Sequence, residues 1–218
     1  MTDSSAAGAA VYSPLTLALY DAWVLGISNR YAWRCPTQTV LLPFFRANVR
    51  PHHLDIGVGT GYYLAKTQLS SQTQITLLDL NPSSLEAAKR RIARPGTRTI
   101  QHDVFKPIPG DERFDSISLF YLMHCLPGPL DAKAAIFGHL KHNLQPGGVL
   151  FGATILGDEA AHNGFGRKLM AVYNKKGIFG NRADTEAGFE THLREHFRDV
   201  TLKREGCVLL FRAAQPIG

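Results

Sequence analysis

Cysteine is scarce in this chain. Only Cys35, Cys125 and Cys207 occur, an odd number at wide spacings. They form neither a disulfide framework nor a CxxC metal pair, so three reduced and mostly buried thiols are expected. Long apolar runs are also missing: no stretch approaches the roughly 18 residues that a membrane-spanning helix needs. Residues Met1 to Ala10 are small and polar with one acid, Asp3. They lack the basic start and apolar centre of a secretory leader and the arginines of a transit peptide, and they read as the frayed tail of a cytoplasmic protein. No internal repeat, low-complexity linker or metal-ligand spacing is evident.

The charge balance is basic, +6 from 24 basic and 18 acidic residues. It raises the question of nucleic acid, but the basic residues are dispersed and form no separate module. One small cluster, Lys89, Arg90, Arg91 and Arg94, falls on an expected surface helix as a solvated face. A second, Arg167, Lys168, Lys175 and Lys176, lies in an expected insertion and is placed to attract an anionic substrate.

What is present is globular. Hydrophobic residues make up 44% and charged residues 19% of 218, enough for one domain with a full core. Pro14 opens an N-terminal helix expected to run to about Leu25 and to stop at Gly26 and Asn29. A second helix follows Pro36. From residue 52 strands and helices alternate. Strands are expected at 53–56, 74–80, 98–102, 114–121 and 149–156, with helices at 62–69, from Asn81-Pro82-Ser83 to about Ala93, from Asp131 to Leu144, and from Thr185 to His196. Pro146-Gly147-Gly148 reads as the stop of the third of these. The stretch from Gly157 to Asn181 reads as irregular. Asp199 to Lys203 and Cys207 to Phe211 read as a closing hairpin across Glu205-Gly206.

This alternation predicts an α/β domain: a doubly wound, seven-stranded, mostly parallel sheet with a C-terminal antiparallel hairpin and a helical N-terminal segment. The expected division is 1–50 as an N-terminal lid or substrate segment, 51–156 as a cofactor-binding core, and 157–218 as substrate loop and closing hairpin. Ligands of such sheets bind at the carboxyl ends of the strands, near the switch in strand order.

The residues at those ends carry the chemistry. After the first strand comes Asp55-Ile56-Gly57-Val58-Gly59-Thr60-Gly61. Gly57 and Gly59 let the backbone turn tightly and approach a ligand, and Gly61 opens the next helix. A glycine turn alone often serves structure only. Two later strand ends strengthen the reading. The second strand ends at Asp79, beside Leu80 and about 20 residues beyond Gly59, where a carboxylate accepts from both hydroxyls of a ribose. The third strand is followed by Asp103-Val104, an acid for an adenine amino group and a backbone amide for the ring.

On these residues the run from His53 to Leu156 resembles the core of the class I, Rossmann-like S-adenosylmethionine-dependent methyltransferases. Leu54 to Gly61 is similar to their glycine-rich first motif, Leu77-Leu78-Asp79-Leu80 to the acidic second and His102-Asp103-Val104 to the third. Phe114-Asp115-Ser116-Ile117 resembles the fourth, and Leu144-Gln145-Pro146-Gly147-Gly148 the turn before the fifth strand. The resemblance implies S-adenosylmethionine as cofactor, with Asp55 and Gly57 toward its methionine part, Asp79 on its ribose, Asp103 and Val104 on its adenine, and Phe120 lining the pocket. A dehydrogenase is the nearest rival on the same fold. Its GxGxxG spacing is broken, because Tyr62 occupies the last position.

A sulfonium methyl is already activated, so the protein has mainly to align a nucleophile and exclude water. Where the nucleophile carries a proton, His124 after the fourth strand is the candidate base. The competing reading is a histidine that orders its loop. Tyr20, Trp23, Tyr31 and Trp33, with Tyr62 and Tyr63 after the glycine turn, are the candidate substrate wall, the first four on an N-terminal lid. The competing reading is fixed packing. The expected acceptor is a small molecule with an O, N or C nucleophile, not nucleic acid. An RNA or protein methyltransferase and a non-methylating cofactor-binding protein are the alternatives.

Overall fold

A computed structural model describes residues 21–218. Seven strands form one sheet: β1 (His52–Ile56), β2 (Gln74–Asp79), β3 (Arg98–Gln101), β4 (Phe114–Phe120), β5 (Leu144–Ile155), β6 (Phe197–Glu205) and β7 (Val208–Pro216). Their order is β3-β2-β1-β4-β5-β7-β6. The first five run parallel. β7 lies antiparallel between β5 and β6. The doubly wound α/β expectation and its closing hairpin both hold, and the hairpin strands are longer than the sequence indicated.

The helices are α1 (Leu42–Asn48), α2 (Tyr62–Lys66), α3 (Pro82–Ile92), α4 (Leu130–Leu140), α5 (Gly164–Lys175) and α6 (Glu186–His196). Two wider, π-type segments, Asp21–Ala32 and Thr37–Leu41, precede α1. Asn81 caps α3 by accepting the Ser83 amide at 2.9 Å, with Pro82 in the first turn, the arrangement that satisfies an orphan amide and presets φ. Both sheet faces are covered. Leu54, Ile117, Leu119, Phe137, Phe189 and Phe211 fill one layer beneath α4 and α6. Leu41, Phe45, Leu85, Phe120, Phe151 and Leu169 fill the other, which α1, α3 and α5 help to close.

Three expectations are corrected. The N-terminal helix does not stop at Gly26 and Asn29 but continues to Ala32. Asn29 is buried and donates from Nδ2 to Thr37 Oγ1 at 2.8 Å, so a tertiary partner replaces the cap role read from its type. The start of that helix, Pro14, lies outside the described residues. The stretch from Gly157 to Asn181 contains α5, nucleated by Asn163, whose Oδ1 accepts the Gly166 amide at 2.8 Å. Gly164 and Gly166 masked it as a loop; Gly166 is required because a Cβ there would lie 2.9 Å from the Ala32 carbonyl. Finally, α4 ends at Leu140, and Pro146-Gly147-Gly148 falls inside β5. The glycines there serve a bulge against β4, between Phe114 and Ser116.

The register positions the site. Asp55 of β1 pairs with Leu77 of β2 and with Ser118 of β4. Asp79 pairs with Gln101 of β3. The carboxyl ends of these strands therefore form one edge, with β1 at the point where the order reverses. Among the described residues no helix is long and apolar enough to cross a membrane.

Candidate active site

A cleft of about 230 Å³ opens at that edge. Asp55, Gly57 to Thr60, Asp79, Leu80, Asp103, Val104 and Phe120 line it, together with Tyr62 and Tyr63 at the start of α2. Register and turn geometry bring Asp55 and Phe120, far apart in sequence, onto one cleft.

The glycine turn is built by two different constraints. Gly57 adopts φ +71°, and a Cβ there would stand 2.8 Å from Leu122 Cδ1. Its amide donates to the Leu78 carbonyl at 2.9 Å, which ties the turn to β2. Gly61 adopts φ +69°, and a Cβ would stand 2.9 Å from the Ala88 Cα of α3. Gly61 does not line the cleft. It lets α2 and α3 approach, which is a packing role. Around Gly59, by contrast, a Cβ would meet nothing within 4 Å, so its missing side chain leaves space open on the cleft.

The carboxylates differ in setting. Asp55 is 6% exposed and accepts from the Ser118 hydroxyl. Burial raises its pKa to about 7, opposed by the Ser118 hydrogen bond and reinforced by Asp79. Asp79 accepts the Asn81 amide at 2.9 Å. Burial pushes its pKa up, while the amides of Asn81, Val58, Gly59 and Leu80 pull it down. Asp103 holds the following turn by accepting the Phe105 amide at 3.1 Å. Among the described residues lining the cleft there are three carboxylates and no lysine or arginine. A chain of net charge +6 thus presents an anionic cleft.

Aromatic residues form the wall beyond the glycine turn. Phe120 packs at 4.8 Å from Tyr63 and 5.1 Å from Phe45, ring centroid to centroid. Tyr63 stacks on Phe45 at 5.5 Å, and Tyr62 receives Gln38 Nε2 on its hydroxyl at 2.6 Å. Tyr121 carries φ +58°, an uncommon conformation for a bulky residue, of the kind that concentrates at functional sites. Residues missed from the sequence complete the wall: Leu25, Leu122, Cys125, Pro127, Gly177 and Ile178. For all but Leu25, which belongs to the N-terminal segment, the signal was only proximity to the end of β4 and to the long connection after β5. Burial pushes the Cys125 thiol up to about 12 despite Lys133, which disfavours a thiolate there.

The segment bearing Gly177 and Ile178 is anchored from below. Lys133 Nζ of α4 is fully buried and pairs with Asp184, also donating to the Gly180 carbonyl at 3.1 Å. The Gly180 amide donates to the His124 carbonyl at 2.9 Å.

His124 itself does not face the cleft. Its ring is 2% exposed, wedged between Tyr121 and Phe179 at 5.3 and 4.6 Å. Its Nδ1 accepts the Ile155 amide at 3.3 Å. Burial, with Lys133 nearby, lowers its pKa to about 3. A ring so placed packs behind the cleft wall and does not line the cleft. Trp33 is likewise core, 1% exposed and edge-on to His162 at 5.8 Å. Trp23 and Tyr31 are exposed and do not line this cleft; Trp23 Nε1 donates to Tyr173 of α5 at 2.9 Å. Tyr20 lies outside the described residues. Of the expected substrate aromatics among the described residues, Tyr62 and Tyr63 line the site and Trp23, Tyr31 and Trp33 do not.

The residues fit S-adenosylmethionine on three counts: open space at Gly59, a buried carboxylate, Asp55, in a cleft whose lining carries two further acids, and successive acids at the ends of β1, β2 and β3; the cation Arg91 is held at the rim by Thr60 and the Tyr62 ring. A family profile described as "Methyltransferase domain" matches residues 54–150. The chain is 45% identical over 211 residues to the physcion biosynthesis cluster O-methyltransferase of Aspergillus chevalieri, covering 96% of this chain and 95% of that one. It is 43% identical over 215 residues to the N-methyltransferase vrtF of Penicillium aethiopicum, covering 98% and 90%. Among solved structures, the N-methyltransferase NodS of Bradyrhizobium japonicum WM9 with S-adenosyl-L-homocysteine is similar in fold, with TM-score 0.61 at 19% identity over 92% of this chain and 95% of that one. With relatives this similar along nearly its whole length, and a cleft whose glycine turn and acids fit the cofactor, the chain belongs to the class I, Rossmann-like S-adenosylmethionine-dependent methyltransferases.

Proposed function

We propose that this enzyme methylates a small, uncharged, ring-bearing acceptor at oxygen or nitrogen. One observation carries the reading: among the described residues the cleft is lined by aromatics and three carboxylates and by no lysine or arginine. Anionic walls repel phosphate and suit a cationic cofactor, while aromatic faces stack on planar acceptors. The basic surface cluster Arg167, Lys168, Lys175 and Lys176 does not reach the cleft, so the overall charge is no argument for RNA. The names of the O- and N-methyltransferase relatives support the same class.

When bound, S-adenosylmethionine supplies the activated methyl. This chain's residues then have four tasks. Asp79 holds the ribose hydroxyls and Asp103, with the Val104 amide, holds the adenine. Asp55 and the turn at Gly57 hold the methionine end. Tyr63, Phe120, Tyr121 and Ile178 wall the acceptor and exclude water. With His124 turned away, no imidazole at the end of β4 takes the acceptor's proton. Alignment drives the reaction, and the acceptor's own ionisation sets the pH dependence. The N-terminal segment covers this end through Leu25, and the 157–184 region forms the opposite wall.

Incubation with S-adenosylmethionine and separate panels of phenols, aromatic amines and structured RNA, with S-adenosylhomocysteine release followed by mass spectrometry, tests the reading. Turnover of phenols or amines is expected, rising with pH through the acceptor's own pKa. Turnover of RNA alone would overturn it.

A further inference from the structure

A line of buried polar groups runs through the sheet beneath the cleft. It starts at the Arg50 amide, which donates to Ser116 Oγ at 2.9 Å. Ser116 Oγ meets His53 Nδ1 at 2.8 Å, and His53 Nε2 meets Ser118 Oγ at 3.2 Å. Ser118 Oγ then donates to Asp55 Oδ1. His53, Ser116 and Ser118 are each 0% exposed. Alternation along the strands explains the geometry: His53 and Asp55 on β1, and Ser116 and Ser118 on β4, share one face in paired register.

Proton counting gives this line a direction. A hydroxyl has one proton. If Ser118 donates to Asp55, it must accept from His53 Nε2–H. His53 Nδ1 is then bare and must accept from Ser116, whose lone pairs take the Arg50 amide. Every group is satisfied and every donor points toward an ionised Asp55. If Asp55 is protonated and donates instead, the line has to reverse through both hydroxyls and the ring. The Phe45 and Phe151 rings pack on His53 at 5.8 and 6.0 Å and keep water from substituting for it.

We propose that His53 and Ser118 are positioning residues for cofactor binding: their hydrogen-bond line holds the Asp55 carboxylate ionised and aimed at the cationic amine of the cofactor's methionine end. This rests on the assignment of Asp55 to that end. The titratable groups acting on Asp55 are Asp79 of β2, which disfavours its charge, and His53 of β1 through Ser118; Tyr63 and Tyr121 line the same cleft. None of these is cationic, since burial keeps His53 neutral, its pKa lowered to about 3. Without the Ser118 donor, burial and Asp79 act on Asp55 unopposed, and both disfavour its charge.

The test is calorimetric binding of S-adenosylhomocysteine between about pH 5.5 and 8.5, for wild type, Ser118→Ala, Ser118→Thr, His53→Phe and Asp55→Asn, with a thermal melt of each. The ligand's own titration cancels between variants at equal pH. Expected for Ser118→Ala is affinity about tenfold weaker near pH 7, recovering toward wild type at the alkaline end, with Ser118→Thr close to wild type. His53→Phe, which keeps a ring between Phe45 and Phe151, should behave like Ser118→Ala. Should His53→Phe fail to fold, the two Ser118 variants still decide. Asp55→Asn should be weak at every pH, without the pH dependence. Ser118→Ala weakened by one constant factor at all pH, or not at all, would overturn the proposal. Asp55→Asn binding as tightly as wild type at pH 8 would instead overturn the assignment of Asp55.

Discussion

Three glycines in one turn should respond differently to the same methyl group. Gly57, Gly59 and Gly61 all have positive φ, at +71°, +51° and +69°. An alanine in the left-handed region costs about 1–2 kcal/mol, partly offset by about 0.4–1 kcal/mol from the restricted unfolded chain. For Gly59→Ala that is the whole cost, because a Cβ there meets nothing within 4 Å. At Gly57 the Cβ adds an overlap with Leu122 at 2.8 Å, and at Gly61 an overlap with the Ala88 backbone at 2.9 Å. Overpacking of this kind adds roughly 1–3 kcal/mol. At roughly 2–4 °C per kcal/mol for a domain of this size, the net cost of about 0–1.6 kcal/mol for Gly59→Ala should lower Tm by about 0–6 °C, and the added overlap should take the other two to about 2–18 °C. Gly61→Ala should be the more severe, since backbone yields less than the Leu122 side chain. Affinity should order the variants the other way. Gly59→Ala places its methyl in the cleft and should lose S-adenosylhomocysteine binding while barely destabilised. Gly61→Ala, which does not line the cleft, should bind normally at a temperature where it is folded. Differential scanning fluorimetry and isothermal calorimetry read both quantities. If Gly59→Ala keeps full affinity, or if all three variants melt together, the separation of cradle from packing glycine is wrong.

Asp79→Ala should weaken cofactor binding by roughly 1.5–3 kcal/mol, about 10- to 150-fold in Kd; unchanged calorimetric affinity would refute the ribose assignment. Lys133→Met strands a buried Asp184 and should cost about 3–5 kcal/mol in denaturant unfolding, whereas the double variant Lys133→Met with Asp184→Leu should recover much of it; equal losses would deny the pair its role as anchor. The two buried histidines, His53 and His124, have pKa lowered from 6.5 to about 3, so below pH 6.5 the unfolded chain binds more protons, and the stability they contribute is complete above 6.5 and lost toward pH 3. Asp55, raised from 3.8 to about 7, acts oppositely over much of that range, as do Asp79 and Asp184, whose pKa burial also raises; each histidine by itself contributes a loss of about 1.4 kcal/mol per pH unit near pH 5. His124→Gln should flatten the fall of Tm with acid, and an undiminished slope would show that its ring is not held neutral.

Residue order alone settles the parts of this protein that depend on topology and on backbone chemistry. Strand–helix alternation implies the parallel core, because a right-handed crossover is nearly the only way to lay successive strands side by side. The glycine turn and the acids Asp55, Asp79 and Asp103 sit at strand ends, where the topology alone sends them to one edge. Asn81-Pro82 and Thr185 were legible as helix starts because capping is local. Side-chain direction was not legible. Only three residues separate Phe120 from His124, yet Tyr121, at φ +58°, turns the chain between them, so Phe120 lines the cleft while His124 lies buried behind it. Trp33 and Asn29 were read from residue type, but their partners, His162 and Thr37, come together only when the N-terminal segment docks. The helix α5 was hidden by two glycines whose necessity, at Gly166, lies in the Ala32 carbonyl 134 residues away. The anionic cleft within a basic chain is of the same kind: composition sums charges, while only the fold decides which of them face the ligand.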